Sequence, residues 1–146
     1  LRRLWTEPIV DFKGKWHTID RAGIQPMPTR KIPIWLGGGM DDRVLRRAAK
    51  YGDGMFPLWG QSPEGRAALE RLRGYVIEEG RDPAKFGIET QVNWASGPAN
   101  WNSFADTWKE LGASHLCVRT MNAGLETPQD HIDAIRQYAE EAGTSR

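Results

Sequence analysis

The sequence predicts an α/β fold: four parallel βα units preceded by a small hairpin. Three observations carry this reading. A short strand-like run followed by a helical pattern recurs four times between residues 32 and 142. The first run is apolar on both faces, as a buried parallel strand is. Each run also leads into a helix-start signal, at Asp41-Asp42, Ser62-Pro63, Asn102-Ser103 and Thr127-Pro128. Right-handed crossovers are expected throughout.

In chain order, Leu1, Leu4 and Trp5 are spaced i, i+3 and i+4. They read as the last turn of a helix whose beginning lies before the chain, so the chain is expected to be a piece of something longer. Pro8 stops that helix. Residues 9–12 and 15–19 are two extended runs with Lys13-Gly14 between them, which predicts a hairpin. Pro26, Pro28 and Pro33 punctuate a loop. The apolar run 32–36 ends in Gly37-Gly38-Gly39, and a helix over 43–51 follows, closed by Gly52. A second strand, 54–58, leads to a helix from Pro63 to about Glu79 with Ala68, Leu69, Leu72 and Val76 on its inner face. A third strand over 87–94 precedes a helix from 102–103 to about 111. A fourth over 113–119 precedes the last helix, about 129–142.

Composition excludes several function classes. Apolar residues make up 39% of the 146 and charged residues 27%, enough for a packed core. The formal charge of +1 leaves no basic field for nucleic acid. One cysteine, Cys117, cannot form an internal disulfide, and no H-E-x-x-H or C-x-x-C spacing points to a metal. No apolar run approaches membrane-spanning length and no charged-then-apolar leader is present. A cytosolic protein with no membrane partner is the expectation.

Two architectures fit the βα repeat: an open doubly wound sheet, or half of a closed eightfold barrel. A complete (β/α)8 barrel takes about 250 residues. Periodicity and length alone therefore lean towards the open sheet.

The sharpest chemical feature is the stretch 34–42, Ile-Trp-Leu-Gly-Gly-Gly-Met-Asp-Asp, at a strand end and a helix start. Glycines let a ligand approach the backbone and let successive N–H groups converge. The helix N-terminus adds donors and partial positive charge. Together these make a phosphate cradle, although neither a Walker loop nor G-x-G-x-x-G is matched. The competing reading is a turn whose glycines only make room for packing. Asp41 and Asp42 count against an anion unless their side chains face away.

No catalytic set is evident. His17, His115 and His131 are scattered, Cys117 reads as an inert core thiol, and Asp53 as a turn residue. Ligand contact is expected instead from residues at strand C-termini: Trp59 and Gln61, Trp94, and Arg119 with Met121. The two tryptophans could stack on a flat ring or simply pack. Arg119 could pair with an anionic substrate or close a salt bridge.

Several pieces form an ordered set. These are 1–8 (Leu-Arg-Arg-Leu-Trp-Thr-Glu-Pro), 10–16 (Val-Asp-Phe-Lys-Gly-Lys-Trp), 25–28 (Gln-Pro-Met-Pro), 32–39, 46–49 (Arg-Arg-Ala-Ala) and 51–57 (Tyr-Gly-Asp-Gly-Met-Phe-Pro). The set resembles the luciferase-like monooxygenase superfamily, in its branch of flavin- and deazaflavin-dependent oxidoreductases. The likeness is strong over 1–58 and weaker to about 142. It implies the C-terminal half of a (β/α)8 TIM barrel: residues 1–146 as one partial domain carrying strands five to eight, with the hairpin as the insertion after strand four. It implies coenzyme F420 or FMN, with the cofactor phosphate at Gly37, Gly38, Gly39 and Met40. It also implies hydride transfer or flavin-dependent oxygenation of a small organic substrate. The family's acid/base residues come from the amino-terminal half, so no catalytic residue is named.

A half-barrel exposes two strand edges and, by expectation, one apolar sheet face. Pairing with a second copy, or completion by a separate amino-terminal half, follows. Two other functions compete: a non-catalytic half-barrel acting as a binding or assembly module, and an unrelated enzyme using the glycine turn for a sugar phosphate. The latter lacks a lysine or carboxylate suited to enolisation or Schiff-base chemistry near the turn.

Overall fold

A computed structural model describes residues 1–143. Its contacts divide the chain into two compact units, Leu1–Pro33 and Ile34 onward.

The first unit holds helix α1 (Arg2–Thr6) and an antiparallel hairpin of β1 (Val10–Lys13) and β2 (Thr18–Ala22). Arg3 grips both carboxylate oxygens of Glu7 at 2.8 Å and donates to the Asp11 carbonyl, tying the helix to the hairpin. The second strand begins three residues later than the sequence pattern predicts. Gly14 N–H bonds the His17 carbonyl, so residues 14–17 form the turn and Trp16 is 80% exposed. A bulge between Val10 and Phe12 is matched by Arg21 at φ 47°, with its N–H bonded to the Asp11 carboxylate.

The second unit is a four-stranded parallel sheet of β3 (Trp35–Gly38), β4 (Gly54–Pro57), β5 (Gly87–Asn93) and β6 (His115–Arg119). The strand order is β3-β4-β5-β6, the order of the sequence. A doubly wound sheet reverses direction at a switch point, and this one does not. Sequential order is the winding of a (β/α)8 barrel. The lean towards an open sheet is therefore corrected: length had outweighed topology, which periodicity does not encode.

Helices α2 (Asp42–Tyr51), α3 (Pro63–Glu78), α4 (Pro98–Glu110) and α5 (Pro128–Glu141) pack on one face of this sheet. Leu45, Ala48 and Ala49 of α2 meet Leu69, Leu72 and Val76 of α3 over Met55 and Ile88. A second cluster joins Val92, Trp101 and Tyr138. Ser62 caps α3, its hydroxyl accepting the Gly65 N–H, and Thr127 with Asp130 forms a capping box on α5. Helix α4 starts earlier than Asn102-Ser103 predicts. Gly97, at φ 80°, turns the chain, and Pro98 then occupies the first helical position. Trp101 and Trp108, seven apart, are the buried residues of α4.

The other sheet face follows from the two-residue alternation of strands. Trp35, Phe56, Glu89, Gln91 and Asn93 alternate with the helix-facing residues, and His115, Cys117 and Arg119 stand opposite Glu89, Gln91 and Asn93. At the N-terminal end, the Trp35 indole lies across Gly54 and Gly87, where a Cβ would strike its ring, and meets His115 edge-on at 4.9 Å. The expectation of an apolar face is thus corrected. The lower layer is aromatic, but towards the C-terminal ends the face carries amides, a carboxylate and a guanidinium.

Candidate functional site

The glycine stretch lies at the C-terminal end of β3. Gly37 and Gly38 belong to the ladder, opposite Phe56 and Pro57, and Gly38 accepts the Leu58 N–H at 3.1 Å. The strand thus extends into the run expected to follow it. The three glycines differ in their surroundings. A Cβ on Gly38 would collide with Val44 of α2, so this glycine makes room for helix packing. A Cβ on Gly37 would find only ordinary contact, with the Phe56 carbonyl at 3.8 Å. A Cβ on Gly39 would meet nothing within 4 Å. None of the three has a left-handed φ. Donors at this loop therefore come from the start of α2 and not from a left-handed nest.

Asp41 is the N-cap of α2, with φ −63° and ψ 138°, and its carbonyl accepts from Val44 and Leu45 at 2.9 and 3.0 Å. Its side chain makes no cap bond, which corrects the expected side-chain cap. The helix start is left without a side-chain oxygen competing for its N–H groups. Asp42 is engaged elsewhere. Arg71 of α3 contacts the Asp42 carboxylate through Nε at 3.1 Å and donates from Nη2 to the Met40 carbonyl at 2.9 Å. One guanidinium thus counters the acidic charge and holds the loop's last carbonyl. Sequence reading missed Arg71, since a contact 31 residues away leaves no local signal.

A cavity of about 360 Å³ opens at the C-terminal ends of β4, β5 and β6. Trp59 and Arg119 line it, together with Phe56, Gln91, Asn93 and Trp108. Trp59 donates from Nε1 to the Gly65 carbonyl at 3.2 Å, which fixes its ring against α3. Gln61 borders an adjoining hollow with Gln91, Asn93 and Ser103, and its amide donates to the Phe104 carbonyl at 3.2 Å. Trp94 is not brought to either cavity. It packs in the second cluster, 6.4 Å from the Trp101 ring, and its carbonyl accepts the Trp101 indole N–H. Met121 lies past β6, 64% exposed, and lines none of these cavities. Gln91 and Asn93 were legible as the polar alternates of β5. Phe56 and Trp108 were not, because only the packed sheet brings them to one rim.

The remaining polar candidates have local roles. The Asp53 carboxylate accepts the Ile34 N–H at 2.9 Å. His115 Nδ1 lies 2.9 Å from the Ser114 hydroxyl, and His131 Nδ1 2.8 Å from that of Thr120. Cys117 is half-buried beside the Val118 carbonyl. Among the described residues no helix is long and apolar enough to cross a membrane.

Comparison with known proteins gives a consistent result. The model of a family described as luciferase-like monooxygenase matches residues 1–119. Pyrimidine monooxygenase RutA of Allorhizobium ampelinum is 31% identical over 90 residues, covering 59% of this chain and 24% of that protein. The F420-dependent glucose-6-phosphate dehydrogenase of Segniliparus rotundus is 25% identical over 118 residues, 78% of this chain and 35% of that one. The chain therefore spans about a quarter to a third of these relatives' length. Among solved structures, the coenzyme F420-dependent tetrahydromethanopterin reductase of Methanopyrus kandleri superposes with a TM-score of 0.74 at 11% identity. That match takes in 96% of this chain and 59% of that one, a likeness of fold.

Proposed function

Since the chain belongs to the luciferase-like monooxygenase family, we propose that it is the cofactor-phosphate portion of an oxidoreductase acting with coenzyme F420 or FMN on a small organic substrate. In this reading β3–β6 are strands five to eight of a (β/α)8 barrel, and the setting is cytosolic. The observation that carries it is the open backbone edge at Gly39, beside a helix start with no side-chain cap. That edge lies at the C-terminal end of a parallel strand, where barrel enzymes bind their ligands.

The residues present fit a phosphate group. The start of α2 offers unpaired backbone donors and the positive end of a helix dipole. Gly39 and Gly37 leave the approach clear, and Arg71 draws the Asp42 charge onto itself. Gly38 contributes through packing, by seating Val44. When bound, the cofactor's ring would supply the hydride or oxygenation chemistry, and this chain would hold and orient its phosphate end.

A second reading is a half-barrel that binds without turnover. Fluorescence titration with FMN and with F420 tests the first, and an assay with a reductant separates the two. Gly39→Val places a side chain in open space, so the fold is expected to keep its unfolding midpoint while cofactor affinity falls about tenfold or more, ~1.4 kcal/mol. Unchanged affinity would count against the loop.

A further inference from the structure

We infer that the exposed face of α2 is a docking track for the anionic oligoglutamate tail of coenzyme F420, formed by Arg43, Arg47 and Lys50. The observation is a charge pattern that a helix standing alone would avoid. Helix α2 holds four basic residues against one carboxylate, in a chain whose formal charge is only +1. Arg43, Arg47 and Lys50 are spaced i, i+4 and i+7, and all three are exposed, so they form one stripe along the helix. Arg46, the fourth, is engaged elsewhere: it bonds Glu78 at 2.7 Å and stacks 3.8 Å above the Tyr75 ring. Among the described residues Arg43 and Arg47 meet no carboxylate.

Two elementary rules are broken along this stripe. Arg43 is the second residue of the helix, where the positive end of the dipole disfavours a cation. Arg43 and Arg47 lie one turn apart, and like charges at that spacing repel. Local rules are broken chiefly where a function compensates the loss. An anion lying along the stripe relieves both conflicts. The stripe starts four residues beyond Gly39, at the helix start that faces the cofactor phosphate in the reading above, and runs about 10 Å away from it along the axis. FMN ends at its phosphate. F420 continues past its phosphate, through a lactyl group, into γ-linked glutamates that each carry a free carboxylate. F420 alone of the two therefore has negative charges to lay along α2. Exposed charges are individually weak in water, so the attraction is collective and is screened by salt.

This rests on the reading of the glycine loop as the phosphate site, and it narrows the cofactor to F420. Binding, not turnover, tests it. F420 carrying several glutamates, its precursor that ends at the phospholactate, and FMN are each titrated by fluorescence, at low salt and at about 0.5 M salt. At low salt the tailed form is expected to bind about tenfold more tightly than the tail-less one, and the advantage is expected to vanish at high salt. The double variant Arg47→Gln/Lys50→Gln alters side chains a turn or more from the loop. It is expected to lose the advantage while binding the tail-less form and FMN as before. Without ligand, Arg43→Gln is expected to unfold at the same or a higher urea concentration, because a repulsive pair is removed. Equal affinity of the two F420 forms at low salt, or an advantage that survives high salt or the double variant, would overturn the inference and leave the phosphate loop standing. Failure of all three compounds to bind would instead overturn the loop reading, and this inference with it.

Discussion

Adjacent glycines of one motif can have unrelated reasons to be glycine. At Gly38 a Cβ would strike Val44, while at Gly39 it would enter open space. Gly38→Val is therefore expected to destabilise the fold by roughly 1–3 kcal/mol, the range for overpacking a filled site. Adding Val44→Ala should return part of that loss, as read from urea midpoints. Full stability in Gly38→Val alone would contradict the contact. Arg71 belongs to a different category. Its pair with Asp42 is solvent-exposed on both sides and stabilises by about 0–1 kcal/mol. Its consequence lies in where it holds charge and the Met40 carbonyl. Arg71→Gln should leave the melting temperature within a few degrees, about 2–4 °C for ~1 kcal/mol in a chain of this size. FMN affinity should still fall severalfold. A drop in stability without a drop in affinity would assign Arg71 to the scaffold.

Among the elements, α5 has the most completely specified start. Its capping box lets Thr127 and Asp130 satisfy each other's backbone N–H groups. Thr127→Ala should cost about 1 kcal/mol. The Asp130 carboxyl is held below the ordinary aspartate range, chiefly by the Thr127 N–H, then by the Thr127 hydroxyl, the Glu126 N–H and the neighbouring His131. A depressed folded-state value stabilises above the unfolded value, near pH 4, and is lost as pH falls through the folded one. Asp130→Asn should thus differ from the unaltered protein at pH 7 and converge with it in stronger acid, by urea unfolding at each pH. Cap signals at Ser62-Pro63 and Thr127-Pro128 placed two helices nearly to the residue. Helix α4 was misplaced because Asn102 and Ser103 carry the same signal from inside a helix that Gly97-Pro98 had already begun. Which cap acts depends on where the strand before it ends.

For the molecule as a whole, the decisive fact is a parallel sheet wound in sequence order, with helices on one face and with β3 and β6 as its outer strands. Outer strands present unpaired backbone groups that another chain can complete. The face without those helices carries Glu89, Gln91, Asn93 and Arg119, a surface suited to a polar barrel interior. We propose that β3 and β6 pair with further strands, from a second copy or from an amino-terminal half. Size-exclusion chromatography with light scattering checks this, and a clean monomer at low micromolar concentration would rule out self-association.

By itself, the sequence determined the four βα units, their approximate helix starts, the glycine loop and the family, because caps, periodicity and ordered motifs are local properties of the chain. Tertiary structure alone decided that the strands run in order rather than reversing. It also decided that Gly38 makes room for Val44, that Arg71 reaches the loop, and that Trp59 and Arg119 line one cavity while Trp94 and Met121 lie elsewhere. These are relations between residues far apart in sequence, set by how helices lie across a sheet, and no window along the chain contains both partners.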